Sequence, residues 1–343
     1  IVSRLKVMAH LDISERRLPQ GGKIKFQLGG GNEIELRVET MPTAGNNEDA
    51  VLRILTAKRS YALDDSGLTP TVLSQIKMVA DKPYGMILCV GPTGSGKTTT
   101  LHAILAHINK PERKIWTAED PIEITQDGLR QVQVYPKIGL TFKKAMTAFL
   151  RADPDVIMIG EMRDKETADI AIEASLTGHL VLSTLHTNSA VETLIRLLDL
   201  GCDPFSFADA MLGIIAKRLC KRICQDCKEE YHPTREEYDE LVAGYGGGER
   251  WKTVGVEYSH SFKLFRGKGC DVCNDTGFKG RIGLHEMLLG SEQLRRLILR
   301  RAPTDEFFEF AQDQGMTTLL QDGILKVLEG NTTFKQARAV ATK

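Results

Sequence analysis

Ten residues constrain this chain more than any others. From Gly91 to Thr100 it reads GPTGSGKTTT, which fits G-x-x-x-x-G-K-[ST] through Thr98. The apolar run MILCV precedes it and the helically spaced GKTTTLHAILAHI follows, so the motif stands where a strand turns into a helix. Such a loop lets backbone N–H groups converge on phosphate oxygens, and the helix N-terminus adds partial positive charge. Gly91, Pro92, Thr93, Gly94, Ser95, Gly96 and Thr99 form the cradle. Lys97 is placed to reach the β- and γ-phosphates of a nucleotide, and the Thr98 hydroxyl to hold Mg²⁺.

The surroundings of the loop point to an α/β fold. MILCV, KIWTA, LRQVQV, DVIMIG and HLVLSTL are strand candidates, and FKKAMTAFLRA, KETADIAIEASL and AVETLIRLLDLG are helices between them. That alternation predicts a mostly parallel sheet covered by helices on both faces. Residues 1–56 differ: GGKIKFQL and NEIELRVETMP alternate with period two, as half-buried strands do, with AGNNEDA as a polar turn before VLRIL. Periodicity is lost over 57–70, which reads as a linker, so the nucleotide domain is expected over 71–343. Within it, 220–285 reads as a cysteine-bearing insert and 286–343 as a helical tail.

Lys and Arg number 45, as do Asp and Glu, for a formal net charge of zero. A nucleic-acid motor usually carries a basic excess, so no nucleic acid is expected as the main partner. No apolar run is long enough to cross a bilayer. The chain starts without Met, inside a helix-like stretch, and reads as part of a longer protein.

The acidic motifs follow strands. DPDVIMIGEMRD puts Glu161 just past one, where the carboxyl end of a strand beside the phosphate loop faces the nucleotide. A carboxylate there can orient a water for attack on the γ-phosphate. The usual Walker B strand ends with Asp before Glu; here Gly160 stands there. TAEDPIE gathers Glu119, Asp120 and Glu123, which is costly unless a cation or water needs them. GHLVLSTLHTN places His179 and His186 at the two ends of another strand, and a lone histidine is more often structural than catalytic.

Of seven cysteines, four form two C-x-x-C pairs, Cys224/Cys227 and Cys270/Cys273, with 42 residues between them. Four thiolates suit a closed tetrahedral Zn²⁺ site of structural kind. Gly269 and Gly277 flank the second pair, as tight metal turns need. Cys89, Cys202 and Cys220 read as small buried apolar residues.

Taken in order, GPTGSGKTTT, TAEDPIE, DPDVIMIGEMRD and GHLVLSTLHTNSA resemble the four motifs of the secretion ATPases that serve type II secretion and type IV pilus assembly. The resemblance covers nearly the whole chain. It implies a RecA-like ATPase core that binds ATP and Mg²⁺, preceded by a PAS-like N-terminal domain that is only partly present here. It also implies a homohexameric ring at the cytoplasmic face of the inner membrane, where a membrane platform protein is its partner. By the same resemblance Glu161 is catalytic, and Glu119, Asp120, Glu123 and His186 lie near the nucleotide. Arg37 in ELRVET and Arg53 in VLRIL match arginines that reach toward the nucleotide from the same or a neighbouring subunit, although Glu39 stands where the family usually has Ser. The tetracysteine element matches the assembly and secretion branch of the family, not the retraction branch. Two other readings remain open at this point: a DNA-translocating or conjugation-type ATPase on the same core, and a nucleotide-binding scaffold without turnover.

Overall fold

The computed structural model describes residues 1–27, 33–55 and 62–341. The chain divides into two units, one of residues 1–60 with 123–126 and the other of 61–122 with 127–343. The first part of the expected linker, 57–61, lies outside the described residues.

In the first unit a short helix, Val2–Met8, accompanies three antiparallel strands in the order β1 (Gln20–Gln27), β2 (Glu33–Thr43) and β3 (Asn47–Leu55). Ile24 and Val38 point to one face and pack with Ala9. The other face is charged, with Lys23 opposite Arg37 and Arg37 opposite Arg53. The polar stretch AGNNEDA is a turn only over Ala44–Asn46, where Gly45 takes φ 76°; β3 already starts at Asn47. The strand claims these polar residues because Glu48 forms an ion pair with Lys6, a fully buried lysine whose ammonium also donates to the Glu15 carbonyl at 2.8 Å. A buried ammonium without such partners would be costly.

The second unit is built on a seven-stranded sheet. Its strands are β4 (Gly85–Val90), β5 (Ile115–Glu119), β6 (Arg130–Gln133), β7 (Val156–Ile159), β8 (Leu180–Leu185), β9 (Met211–Ile223) and β12 (Phe278–Leu289). A separate two-stranded pair, β10 (Lys228–Tyr231) and β11 (Leu264–Gly267), lies in the insert. The large sheet runs β12-β9-β4-β8-β7-β5-β6, parallel throughout except for the antiparallel edge β12–β9. β4 is central and buried on both faces. Met86, Leu88 and Val90 enter one core under helices Lys165–Leu176 and Ala190–Asp199, while Ile87 and Cys89 enter another under Pro70–Ala80 and Lys97–Ile108. This double burial is why MILCV shows no polar alternation.

β9 and β12 are not among the strands expected from the sequence. These long strands pair with each other and run through positions 220 and 285, so the cysteine insert hangs between two strands of the central sheet. The insert and the tail helices Leu319–Leu328 and Phe334–Ala341 share a third core, in which Tyr238, Leu241, Trp251 and Leu264 meet Leu284, Ile324 and Val327.

Candidate active site and metal cluster

Parallel strands end on a common edge, and here that edge collects the expected motifs. β4 leads into Gly91, β7 into Gly160 and Glu161, β8 into His186, and β5 ends on Glu119. With strands about 4.8 Å apart, the end of β7 lies about 10 Å from the end of β4. That spacing suits a water-orienting carboxylate opposite a triphosphate.

The phosphate loop has the backbone its glycines were expected to allow. Gly91, Gly94 and Gly96 take φ of 145°, 78° and 86°, and Gly96 caps the helix Lys97–Ile108. A Cβ on Gly91 would lie 2.5 Å from the Lys217 carbonyl oxygen, so the neighbouring strand β9 leaves no room for a side chain. Lys97 is buried and its ammonium donates to the Gly91 carbonyl at 2.7 Å and to that of Pro92 at 3.2 Å. It thus already spans the loop from which phosphates would be held. Thr98 and Thr99 are half-buried in the first helical turn, while Pro92, Thr93 and Gly94 are exposed and Ser95 is buried.

Glu161 leaves β7 through a tightly held turn. The Gly160 N–H donates to Ala118 O at 2.8 Å, Thr184 Oγ1 donates to Gly160 O at 2.7 Å, and the Met162 N–H donates to Thr184 O at 3.0 Å. A Cβ on Gly160 would sit 3.3 Å from Ala118 O, a tight contact at this turn. The Glu161 carboxylate meets His186 Nε2 at 3.3 Å and Arg163 Nη2 at 2.8 Å. The structure therefore brings together Glu161 and His186, two residues from separate motifs. Arg163 is an addition: nothing in its position within DPDVIMIGEMRD separated it from a surface charge. His179, at the opposite end of β8, places Nδ1 2.9 Å from the Ala174 carbonyl oxygen and plays a structural part.

The three acids of TAEDPIE go different ways. Glu119 is buried and takes hydrogen bonds from Thr117 at 2.6 Å and Gln131 at 2.9 Å, with His102 Nε2 3.2 Å away. Burial pushes its carboxyl upward, but the hydrogen bonds from His102, Thr117 and Gln131 outweigh this and hold it below its ordinary value. Asp120 is exposed and precedes a cis proline, Pro121. Glu123 is exposed and falls in segment 123–126 of the first unit, as do Arg37 and Arg53 in β2 and β3 of that unit. Arg37 is ion-paired with Glu39 at 2.8 Å.

Beside the phosphate loop lies a cavity of about 640 Å³, walled by Gly96 and Thr99 on one side and by Lys217, Arg222, Arg281 and residues 64–70 on others. It is large enough for a nucleoside attached to phosphates on the loop.

The four paired cysteines converge. Cys224, Cys227, Cys270 and Cys273 place their Sγ atoms within 4.8 Å of one another. The separations Cys224–Cys270, Cys227–Cys273 and Cys270–Cys273 are 3.9, 3.9 and 3.7 Å. Four thiolates at 2.3 Å from one tetrahedral ion would be about 3.8 Å apart, so the cluster fits a metal. N–H groups of Gly269 and Cys270 donate to Cys227 and Cys273 Sγ at 3.3 Å, which orients these sulfurs and favours their thiolate form. Gly269 takes φ 100° and Gly277 φ 72°, and a Cβ on Gly267 would lie 2.0 Å from Gly277 O.

Among the described residues no helix is long and apolar enough to cross a membrane. The family model for "Type II/IV secretion system protein" matches residues 1–339. The chain is 42% identical over 340 residues to a type IV pilus assembly ATPase, PilB, of Thermus thermophilus, covering 99% of this chain and 37% of that one. It is 43% identical over 341 residues to type II secretion system protein E of Pseudomonas aeruginosa, covering 99% and 65%. It thus spans less than two thirds of either relative. Among solved structures, the pilus retraction motor PilT with bound ADP matches at a TM-score of 0.66 and 25% identity, covering 95% of this chain and 78% of that one. The ATPase DotB of Yersinia pseudotuberculosis, at a TM-score of 0.69, 20% identity and coverage of 99% and 81%, shares the fold. The α/β architecture and the four motifs on one sheet edge agree with these likenesses: the chain belongs to the type II/IV secretion system protein family.

Proposed function

We propose that this chain is the ATP-hydrolysing part of a motor that assembles a pseudopilus or pilus, in a type II secretion or type IV pilus machine. The observation that carries this reading is the position of Glu161, half-buried at the end of β7, paired with His186 and two strands from the phosphate loop. Triphosphate oxygens lie on the N–H groups of residues 91–99, with Lys97 turning from the loop carbonyls to the β- and γ-phosphates. Thr98 holds Mg²⁺, which when bound offsets phosphate charge. Glu161 accepts a proton from the attacking water, and His186 keeps its carboxylate aimed. Glu119 fixes the end of β5 against the phosphate helix, and Asp120 and Glu123 act near the nucleotide, as in the family the motifs resemble. Arg37 and Arg53 act on the γ-phosphate in the assembled ring, where developing charge needs cations. The nucleoside occupies the cavity beside Thr99.

On this reading residues 1–56 are the domain before the motor, 57–70 a linker, 71–343 the motor, and 220–285 a zinc subdomain. Zn²⁺ held by Cys224, Cys227, Cys270 and Cys273 is structural, since four thiolates leave no open position. Six copies form a ring that works at the cytoplasmic face of the inner membrane against a platform protein. The formal net charge of zero lacks the basic excess that a DNA motor usually carries.

The test is ATPase activity per subunit against protein concentration, with Glu161→Gln as the blank. We expect activity to climb with concentration, and Glu161→Gln to keep nucleotide binding while losing turnover by about 100-fold or more. A Glu161→Gln variant that turns over at the wild-type rate would remove the assignment.

A further inference from the structure

Lys217, which the mechanism above uses only as a wall of the cavity beside Thr99, also approaches the phosphate loop. It lies on β9 just past Ala216, which is paired with Val90, so it flanks the start of the loop. Its side chain is buried, and its ammonium donates to Thr100 Oγ1 at 2.7 Å in the first turn of the phosphate helix. A Cβ on Gly96 would be 3.5 Å from Lys217 Nζ.

Burial disfavours the charged form and holds this ammonium below the ordinary lysine pKa, with Cys89 raising it and Lys326 lowering it further. Among the described residues no salt bridge reaches Lys217. Its partner across the β9–β12 ladder is His285, which is fully buried. Burial, then Lys326 and Lys217, hold that imidazole well below its ordinary pKa, so it is uncharged. Asp322 meets Lys326 and the backbone N–H of His285 (2.8 Å) through Oδ2, and forms no ion pair with Lys217. A buried cation left without a counter-charge is costly. A polyanion seated on residues 91–99 would supply that charge from a few ångströms away.

We propose that Lys217 is a positioning residue for the nucleotide phosphates: through the Thr100 hydroxyl it fixes the first turn of the phosphate helix, and it lends that turn a positive charge that only the phosphates balance. The proposal rests on the reading of residues 91–99 as a nucleotide site. It also ties the loop to the tail, because Lys217 faces His285, and His285 and Lys326 are both held by Asp322 of the helix Leu319–Leu328.

The experiment titrates the full chain with a fluorescent ATP analogue in Mg²⁺, using Lys217→Met, Lys217→Gln, Thr100→Val and the Lys217→Met/Thr100→Val double variant. Lys217→Met is expected to raise Kd about tenfold, as loss of a charged hydrogen bond does. Lys217→Gln, which can still donate to Thr100 but is uncharged, should fall between. The double variant should be no weaker than Lys217→Met alone, since both changes break one bond. Competition by adenosine, which has no phosphate, should weaken far less than competition by ATP, although Lys217 also walls the cavity beside Thr99. An unchanged Kd in Lys217→Met, a double variant whose loss is the product of the single losses, or an equal loss of adenosine binding would each overturn the proposal. Lys97→Ala in the same titration separates the two readings. If the wild type binds and Lys97→Ala does not, the nucleotide site stands whatever Lys217 does. A wild type that binds no analogue overturns both.

Discussion

His102 on the phosphate helix and Glu119 at the end of β5 meet at 3.2 Å, both buried, so the acidic motif is joined to the nucleotide loop by a side-chain contact across 17 positions of sequence. Glu119 is held below its ordinary pKa in the fold. A carboxyl of that kind contributes stability above its unfolded pKa, and the contribution is lost as pH falls through the folded value. We expect the wild-type melting temperature to rise relative to Glu119→Gln as pH is raised from 3 to 6, and the difference to hold steady above that. Replacing His102 by Leu should cost about 1–3 kcal/mol by stranding a buried acceptor, read by denaturant unfolding.

Glu286 behaves in the opposite sense. It is buried on β12 and accepts from the N–H of Ala190, first residue of the helix after the histidine motif, at 2.7 Å. Burial raises its carboxyl to about 7, against backbone hydrogen bonds from Ala190 and Leu319 that lower it. Between its unfolded pKa, near 4.5, and 7 the folded chain keeps a proton that the unfolded chain has lost, so stability falls as pH rises through that window. Glu286→Gln should flatten the pH dependence of the melting temperature between 4.5 and 7, a change of about 3 kcal/mol at most.

Arg37 and Arg53 face each other across β2 and β3. Like charges directly opposite are destabilising. Arg53→Ala is therefore expected to leave thermal stability unchanged or slightly higher, while lowering ATP turnover about 100-fold. A fall in melting temperature with full turnover would make the pair structural.

Metal content gives a separate check. We expect about one Zn²⁺ per chain by elemental analysis, lost on Cys227→Ser. Protease cleavage should then appear first within 228–269, since the loop would no longer be tied at its base.

Much of this was legible in the sequence because it is local. Strand, loop and helix around Gly91 are contiguous, and each of the strands before Glu119, Glu161 and His186 announces itself by a short apolar run. The cysteine pairs were legible for the same reason. What escaped is long-range or mixed in pattern. β9, MLGIIAKRLCKRI, starts directly after the helix Pro204–Ala210 and turns basic at its end, so no turn signal sets off its apolar run MLGIIA as a strand. β12 carries two glycines and sits beside the metal motif. Lys217 bonds a residue 117 positions away, and no spacing rule reaches that far. Glu119 read as an acid waiting for a cation, because its partners Gln131 and His102 lie on other elements.

The pairing of β9 with β12 has a bearing on how such chains diversify. Cys224 follows the last residue of β9, and Cys273 lies five residues before β12. The thiol cluster closes the mouth of the insert at a fixed width, so the central sheet meets the same boundary whatever lies beyond it. Lengthening a closed surface loop costs little. The exposed loops among the 42 residues between Cys227 and Cys270 can therefore lengthen or acquire a new contact surface, while Tyr238, Leu241, Trp251 and Leu264 keep the core they share with Leu284 of β12. The hairpin isolates the chemistry at one end from whatever the insert comes to recognise at the other.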